Sequence, residues 1–264
     1  MEYSSITYEK NNHIALVTLN RPEIRNAWSP DLAEDLSKAF AEMKADDDVR
    51  VVIMTGNGPA FSAGAYMKDP NTHRVDTIGP ALKRITEGEE SLFDKIYKFP
   101  KPVIVGVNGF AVGAGFQIVL CSDILIASED AQMGMVQITL GLIPAAGGSL
   151  RLARYVGKAK AAEMILTGRR IGAQEALDAG LVVKVVPRDE LMPTLMEYGE
   201  RIAALPPLAP RLAKESLNSS LDIPSLHDAA LADHYRFAAL GMTADSKEAH
   251  QSWREKRKPV FTGE

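Results

Sequence analysis

KPVIVGVNGFAVGAGFQIVLCSDILIASEDAQMGMVQ, residues 101–137, decides the fold. The β-branched run Val103, Ile104, Val105 and Val107 predicts a buried strand, closed by the Asn108-Gly109 turn signal. Val112-Gly113-Ala114-Gly115 follows, with almost no side chain to keep a ligand from the backbone. It opens a helix through Phe116, Gln117, Ile118, Val119 and Leu120, whose first amides have no partner within the helix. Unpaired amides at a positive helix end suit developing negative charge.

A second stretch repeats the pattern. Val51 to Gly56 predicts a strand, and Asn57 to Tyr66 a tight loop of small residues after it. Two amides converging from two such corners would form an oxyanion hole.

Working outward, Ile6–Glu9 and Ile14–Leu19 predict two short strands about a polar turn, Lys10 to His13. Ser29-Pro30-Asp31 is a helix start, and Leu32, Leu36, Phe40 and Met43 recur at helical spacing on a core face. Asp46-Asp47-Asp48 closes that helix as a solvated corner. An amphipathic helix is expected from about Pro80 onward, carrying Leu82, Ile85, Leu92, Phe93, Ile96 and Tyr97. A helix through Leu150 and Leu152 stops at Gly157. Helices over 159–166 and 173–179 follow, then a strand over 182–186. Strands alternating with helices argue for an α/β fold. From Pro187 the chain turns helical, with Leu191, Leu195, Ile202, Leu212 and Leu217 as expected buried positions. A strand-free tail does not readily make its own core, so it is expected to pack on the main domain or on a neighbouring subunit.

Composition narrows the function. In 264 residues the net charge is −4, which gives no global pull toward nucleic acid or an anionic membrane. No segment approaches the ~20 apolar residues of a membrane span, so a soluble cytoplasmic protein is expected. The one cysteine, Cys121, lies in an apolar helix and reads as packing. His13, His73, His227, His234 and His250 have no paired metal-ligand spacing, so no metal is expected. Gly113-Ala114-Gly115 lacks the third glycine of a dinucleotide fingerprint, and Gly147-Gly148-Ser149-Leu150-Arg151 lacks the last glycine of a nucleophile elbow.

PAFSAGAYMK, KPVIVGVNGFAVGAGFQ, SDILIAS, MVQITLGLIPAAGGSLRLAR and EKRKPVF, in that order, resemble the enoyl-CoA hydratase/isomerase (crotonase) superfamily over nearly the whole chain. The resemblance implies a spiral of ββα units over 1–195 with the acyl-CoA site, and a helical C-terminal segment over 196–264 that builds trimers and hexamers. It implies that the amides of Ala65 and Ala114 hold the thioester oxygen of an acyl-CoA as it becomes an enolate. Coenzyme A would enter as part of the substrate, with no tightly bound cofactor, and would meet Arg25, Ala63 and Lys68, with Lys256 and Lys258 near the nucleotide of the same or of a neighbouring subunit's ligand. Read from the residues alone, Arg25 is equally a solvated loop arginine, and Lys256 to Lys258 a solvated basic helix end.

Where hydratases of this family carry two catalytic glutamates, this chain has Gln117 and Gln137. An amide orients water or substrate but exchanges no proton near neutrality. Tyr66, directly after Ala65, is the first acid/base candidate and alternatively an aromatic wall of the acyl pocket; Asp69, His73, Glu87 and Glu90 rank behind it. Three outcomes stay open. The first is lyase chemistry, best exemplified by hydration of an unusual enoyl-CoA in fatty or aromatic acid metabolism. The second is isomerisation, decarboxylation or carbon–carbon cleavage beside the thioester. The third is acyl-CoA binding without catalysis.

Overall fold

The computed structural model describes residues 3–68, 90–220 and 222–264. Strands β1 (Ile6–Asn11) and β2 (Ile14–Leu19) form an antiparallel hairpin that starts a six-stranded sheet. The hairpin turn is tighter than the sequence suggests. Asn12 and His13 alone make it, both at positive φ (49° and 67°), so β1 runs on through Asn11. His13 and Lys10 both pair with Asp48, at 2.7 and 3.2 Å.

Helix α1 (Pro30–Ala45) is capped by the Ser29 hydroxyl, which accepts from the Leu32 amide at 3.3 Å. Its buried stripe is Leu32, Leu36, Phe40 and Met43, as the spacing predicts. Over residues 51–134 consecutive strands alternate between two sheets. β3 (Val51–Gly56), β5 (Val103–Val107), β7 (Ile124–Ser128) and β10 (Lys184–Val186) extend the large sheet in parallel, in the order β1-β2-β3-β5-β7-β10. β4 (Ala60–Ser62), β6 (Phe110–Val112), β8 (Gln132–Gly134) and the short β9 (Ile171–Gly172) make a four-stranded second sheet. Each turn of the chain therefore gives one strand to each layer, an irregular spiral of ββα units.

The central strands β3, β5 and β7 of the large sheet are buried on both faces, which is why they read as nearly unbroken apolar runs. Successive residues point to opposite sides. Val52, Met54, Val103 and Val105 enter the core between the sheets, while Val51, Ile53 and Ile104 lie under a helix on the other face. Gly106 lies under that helix because a β-carbon there would come within 2.4 Å of Leu195.

Helix α2 (Leu92–Tyr97) precedes β5, helix α3 (Ala114–Val119) follows β6, and helix α4 (Gly148–Thr167) breaks at Gly157 (φ 77°), where the sequence predicts a stop. The expected helix from Pro80 lies, up to residue 89, outside the described residues. Helix α5 (Ala173–Asp178) is followed by Gly180 at φ 73°. The strand expected over 182–186 is confined to Lys184–Val186.

The covering helix is α6 (Leu191–Ala203), with Leu191, Leu195 and Ala203 buried against the sheet. The sequence boundary at 195/196 thus falls inside a core helix. Beyond it, α7 (Leu208–Ser220), α8 (Leu226–Gly241) and α9 (Ala244–Glu255) make the C-terminal segment. Its anchor is electrostatic: the Lys214 ammonium pairs with Asp123 at 2.7 Å and donates to the Lys101 carbonyl at 3.2 Å. Burial pushes the Asp123 carboxyl up and the Lys214 ammonium down. Leu217, expected to be buried, is 70% exposed: it lies one turn beyond Lys214 on the same side of α7, where that side lines an open cavity with Tyr97, Tyr155 and Ile202.

Lys101 is buried too and donates to the Met43 and Asp46 carbonyls, both at 2.6 Å, closing the end of α1; burial pushes its ammonium down to about 8. Cys121 is packed in the core with its thiol pushed up to about 12 by burial, which suits the packing role. Among the described residues no helix is long and apolar enough to cross a membrane.

Candidate active site

β4, β6 and β8 are neighbouring parallel strands, and three corners leave their carboxyl ends side by side. Ala63 to Tyr66 follow β4, Gly113-Ala114 follows β6, and Val136-Gln137 comes shortly after β8. The loops beyond strand carboxyl ends are where ligands bind in open parallel sheets.

The corners touch. Gly64 has φ 83°, and a β-carbon on it would come within 2.7 Å of the Val112 carbonyl oxygen. Gly113 has φ 55° and ψ −119°, a backbone that only glycine takes without strain. A β-carbon there would lie 3.8 Å from the Gly64 Cα and 3.9 Å from Gln137 Nε2. Gly115 lets the helix seat directly on Ser62, where a β-carbon would come within 2.6 Å.

Two amides are left for a ligand by the hydrogen-bond pattern. Trp28 pairs with Ala65 as an isolated parallel bridge: its N–H donates to the Gly64 carbonyl at 2.7 Å, and its carbonyl accepts from the Tyr66 N–H at 2.9 Å. A parallel bridge uses the flanking residues, so the Ala65 N–H points away from Trp28. Ala114 is the first residue of α3, and its N–H has no carbonyl four residues back within the helix. With six residues α3 has a small dipole; the amides themselves are the asset.

The two glutamines meet. Gln117, 6% exposed, donates through Nε2 to the Ala145 carbonyl, and Gln137 Nε2 donates to Gln117 Oε1 at 3.1 Å. Gln137 Oε1 is buried without a partner among the described residues. Gly148 packs against Gln117, a β-carbon there coming within 3.0 Å of Nε2.

The other sequence-derived candidates divide. Tyr66, half-buried, follows the Ala65 amide directly. Arg25 and Ala63 are brought together by the backbone, the Ala63 N–H donating to the Arg25 carbonyl at 3.0 Å, and Lys68 is exposed just beyond. Lys256 and Lys258 sit elsewhere. Their tail is tied to the start of β3, Arg50 Nη2 donating to the Phe261 carbonyl at 2.8 Å, whereas the corners lie beyond that strand's far end. No contact joins either lysine to the corners. Glu90 pairs with exposed Lys98 at 3.1 Å. Asp69, His73 and Glu87 lie outside the described residues. His227 and His234 are exposed on α8. No group of three His, Cys, Asp or Glu among the described residues is placed to hold a metal.

Sequence reasoning missed the residues that hold the corners. Asn26, buried at φ 53°, donates to the Asn57 and Ala60 carbonyls at 2.9 and 2.8 Å and accepts from the Arg21 amide at 2.7 Å. Asn108 accepts from the Gly56 amide at 3.1 Å and donates to the Gly58 carbonyl at 3.0 Å, tying the β3 end to the β5 end. Its Asn-Gly turn signal was the available hint. Trp28 walls the Ala65 side, with its ring stacked on Phe93 at 5.1 Å. Asn26→Ala removes three hydrogen bonds and the residue type that best tolerates this φ. It is expected to cost about 3 kcal/mol in urea unfolding. A loss below about 1 kcal/mol would mean the loop does not depend on it.

The family model described as enoyl-CoA hydratase/isomerase matches residues 9–264. A mitochondrial enoyl-CoA hydratase of Pongo abelii is 36% identical over 253 residues, covering 96% of this chain and 84% of that protein. The crystal structure of an enoyl-CoA hydratase from Bacillus anthracis superposes with a TM-score of 0.91 at 36% identity, covering 99% of this chain and 100% of the other. That of an enoyl-CoA hydratase/isomerase from Mycobacterium paratuberculosis gives 0.90 at 30%, with both chains covered completely.

Proposed function

The chain belongs to the enoyl-CoA hydratase/isomerase family, and from that premise we propose that it acts on an acyl-CoA thioester through an enolate held by the amides of Ala65 and Ala114. The observation that carries this reading is the convergence of the Gly64-Ala65 and Gly113-Ala114 corners beside the Gln117–Gln137 pair. Coenzyme A enters with the substrate and runs past Arg25, Ala63 and Lys68.

The reaction we assign first is hydration of an unusual enoyl-CoA. Gln137 carries a buried acceptor with no partner among the described residues, which suits a water or hydroxyl donor. Neither glutamine exchanges a proton, so Tyr66 is the acid/base in this reading. The same neutral pair favours a second reading, decarboxylation or carbon–carbon cleavage beside the thioester, where the oxyanion hole matters more than a base.

Lys256 and Lys258, tied to the far end of the sheet, would serve a neighbouring copy's coenzyme A. The apolar side chains exposed on the tail, Leu226, Tyr235, Phe237 and Trp253, support its packing on such a copy in a trimer or hexamer.

The test is mass-spectrometric α-proton exchange in deuterated water with a panel of saturated, unsaturated and β-keto acyl-CoAs. Deuterium uptake or a hydrated product is expected. Loss of carbon dioxide or chain cleavage would select the second reading. Tight binding with neither exchange nor product would leave a thioester-binding protein and overturn both.

A further inference from the structure

We propose that Arg151 is a positioning residue of this site: it holds the Ala145-Ala146 turn so that one main-chain carbonyl sets the polarity of the Gln117–Gln137 amide pair. The proposal rests on the acyl-CoA reading only for its kinetic consequence; the geometry stands without it.

Arg151 lies in the first turn of α4 and folds back over that helix's own start. Its Nη1 donates to the Ala146 carbonyl, and its Nη2 pairs with Asp94 Oδ1 at 3.0 Å. The guanidinium lies over the Tyr97 ring, 4.7 Å from the centroid, and the side chain is 12% exposed. Three partners on two elements therefore fix the fork in place, a geometry that suits a planar guanidinium better than an ammonium.

The turn it grips is conformationally costly. Ala146 and Gly147 are consecutive left-handed residues, at φ 47° and 76°. An alanine takes that backbone only when its surroundings compel it. Gly147 leaves room for the guanidinium itself, since a β-carbon there would come within 2.9 Å of Nη1. Held this way, the Ala145 carbonyl accepts from the Gly148 amide at 2.9 Å and from Gln117 Nε2.

That second bond decides the polarity. Two side-chain amides facing each other can bond in either sense, the N–H of one meeting the oxygen of the other. A carbonyl only accepts, so Gln117 must turn Nε2 toward Ala145 and Oε1 toward Gln137. Gln137 must then answer with Nε2, which it does at 3.1 Å, leaving its Oε1 as the uncommitted acceptor. The side chain at 117 is thereby selected as a donor, and the pair offers an acceptor to a water or a substrate hydroxyl. Arg151 itself touches no reacting atom.

The experiment labels the side-chain nitrogen of glutamine in the full chain, which has five, at 117, 132, 137, 174 and 251. Amide hydrogen exchange is then followed by NMR without substrate. In the wild type the Gln117 and Gln137 side-chain amides are expected to exchange slowly. Arg151→Met should speed both roughly tenfold, about the factor one net hydrogen bond is worth, while Gln174 and Gln251 stay unchanged. Arg151→Lys, which keeps a donor, should fall between. In turnover, Arg151→Met should lower kcat with the thioester Kd changed less than about twofold, because binding groups are untouched. If Arg151→Met does not fold, Arg151→Gln carries the same expectation with a shorter polar side chain. Unchanged Gln117 exchange in either folded variant overturns the proposal, whatever the protein's reaction. Lost turnover with unchanged amides does so too, by placing the effect of Arg151 elsewhere. Because the exchange arm needs no substrate, failure of the acyl-CoA reading leaves it intact.

Discussion

Replacing Gln117 and Gln137 together by glutamate is expected to raise the hydration of crotonyl-CoA by a factor on the order of 10²–10⁴, the usual worth of a positioned acid/base. The substitution is nearly isosteric, and the frame that holds the amides would hold carboxyls in the same places. Those places are not equivalent. Position 117 faces the Ala145 carbonyl, which cannot donate, so a carboxyl there keeps its contact only when protonated. Among the described residues, position 137 has no such partner and its side chain bonds to 117. Two carboxyls at that separation do not both ionise readily; one pKa is pushed up and the pair shares a proton. The double variant would thus carry an acid and a base side by side. Its rate should fall at high pH as the shared proton leaves, and again in acid as the second carboxylate is protonated. Each single variant should gain less, since hydration needs both functions. Crotonyl-CoA turnover across pH, with circular dichroism to establish folding, measures it. A folded double variant with no gain would mean that the shape of the acyl pocket, not the missing acids, sets the reaction.

What the sequence conveyed, and what it did not, follows from how local each feature is. The apolar runs from Val51 to Met54 and from Val103 to Val107 made buried strands legible, because burial on both faces leaves no polar position to disguise them. Ser29-Pro30 announced α1, and Gly157 its break in α4, because caps and breakers act within one turn. Both small-residue corners were legible for the same reason. The hairpin turn was read too long, since nothing in Lys10-Asn11-Asn12-His13 says which two residues take positive φ. The remainder depends on contacts distant in sequence. Lys101 looks like a strand's entry but closes a helix more than fifty residues earlier. Ala145 and Arg151 lie within a quoted motif that does not show their part, which arises from a left-handed alanine and a side chain folded backward. Leu217 shares its side of α7 with the buried Lys214, yet that side opens onto a cavity lined by Tyr97, Tyr155 and Ile202, residues distant in sequence that its own neighbourhood does not announce. Lys256 and Lys258 entered by resemblance alone, and only the distant Arg50–Phe261 bond shows that the tail after them is tied to the start of β3.

Ala114→Pro should reduce turnover by about 10²–10³, the cost of about 2.7–4 kcal/mol that follows removal of one oxyanion-hole donor. Proline is the apt probe because it deletes an N–H rather than a side chain. Ala114 is the first helical residue of α3, where that N–H takes no part in the helix and proline's fixed φ is already suited. The residue before a proline is pushed toward extended backbone. Gly113, at φ 55° and ψ −119°, sits in the mirror image of that region, open to glycine alone. The fold should therefore survive, with a thermal midpoint close to that of the wild type. The lost group is the one left without an intrahelical partner, at the corner that touches Gly64 and Gln137. Ala114→Gly, which keeps the amide, separates the two effects: it should retain most of the rate while loosening the short helix slightly. If the proline variant folds and turns over at the wild-type rate, the Ala114 amide does not hold the oxyanion. The Ala65 side and the glutamine pair would then have to carry the enolate alone.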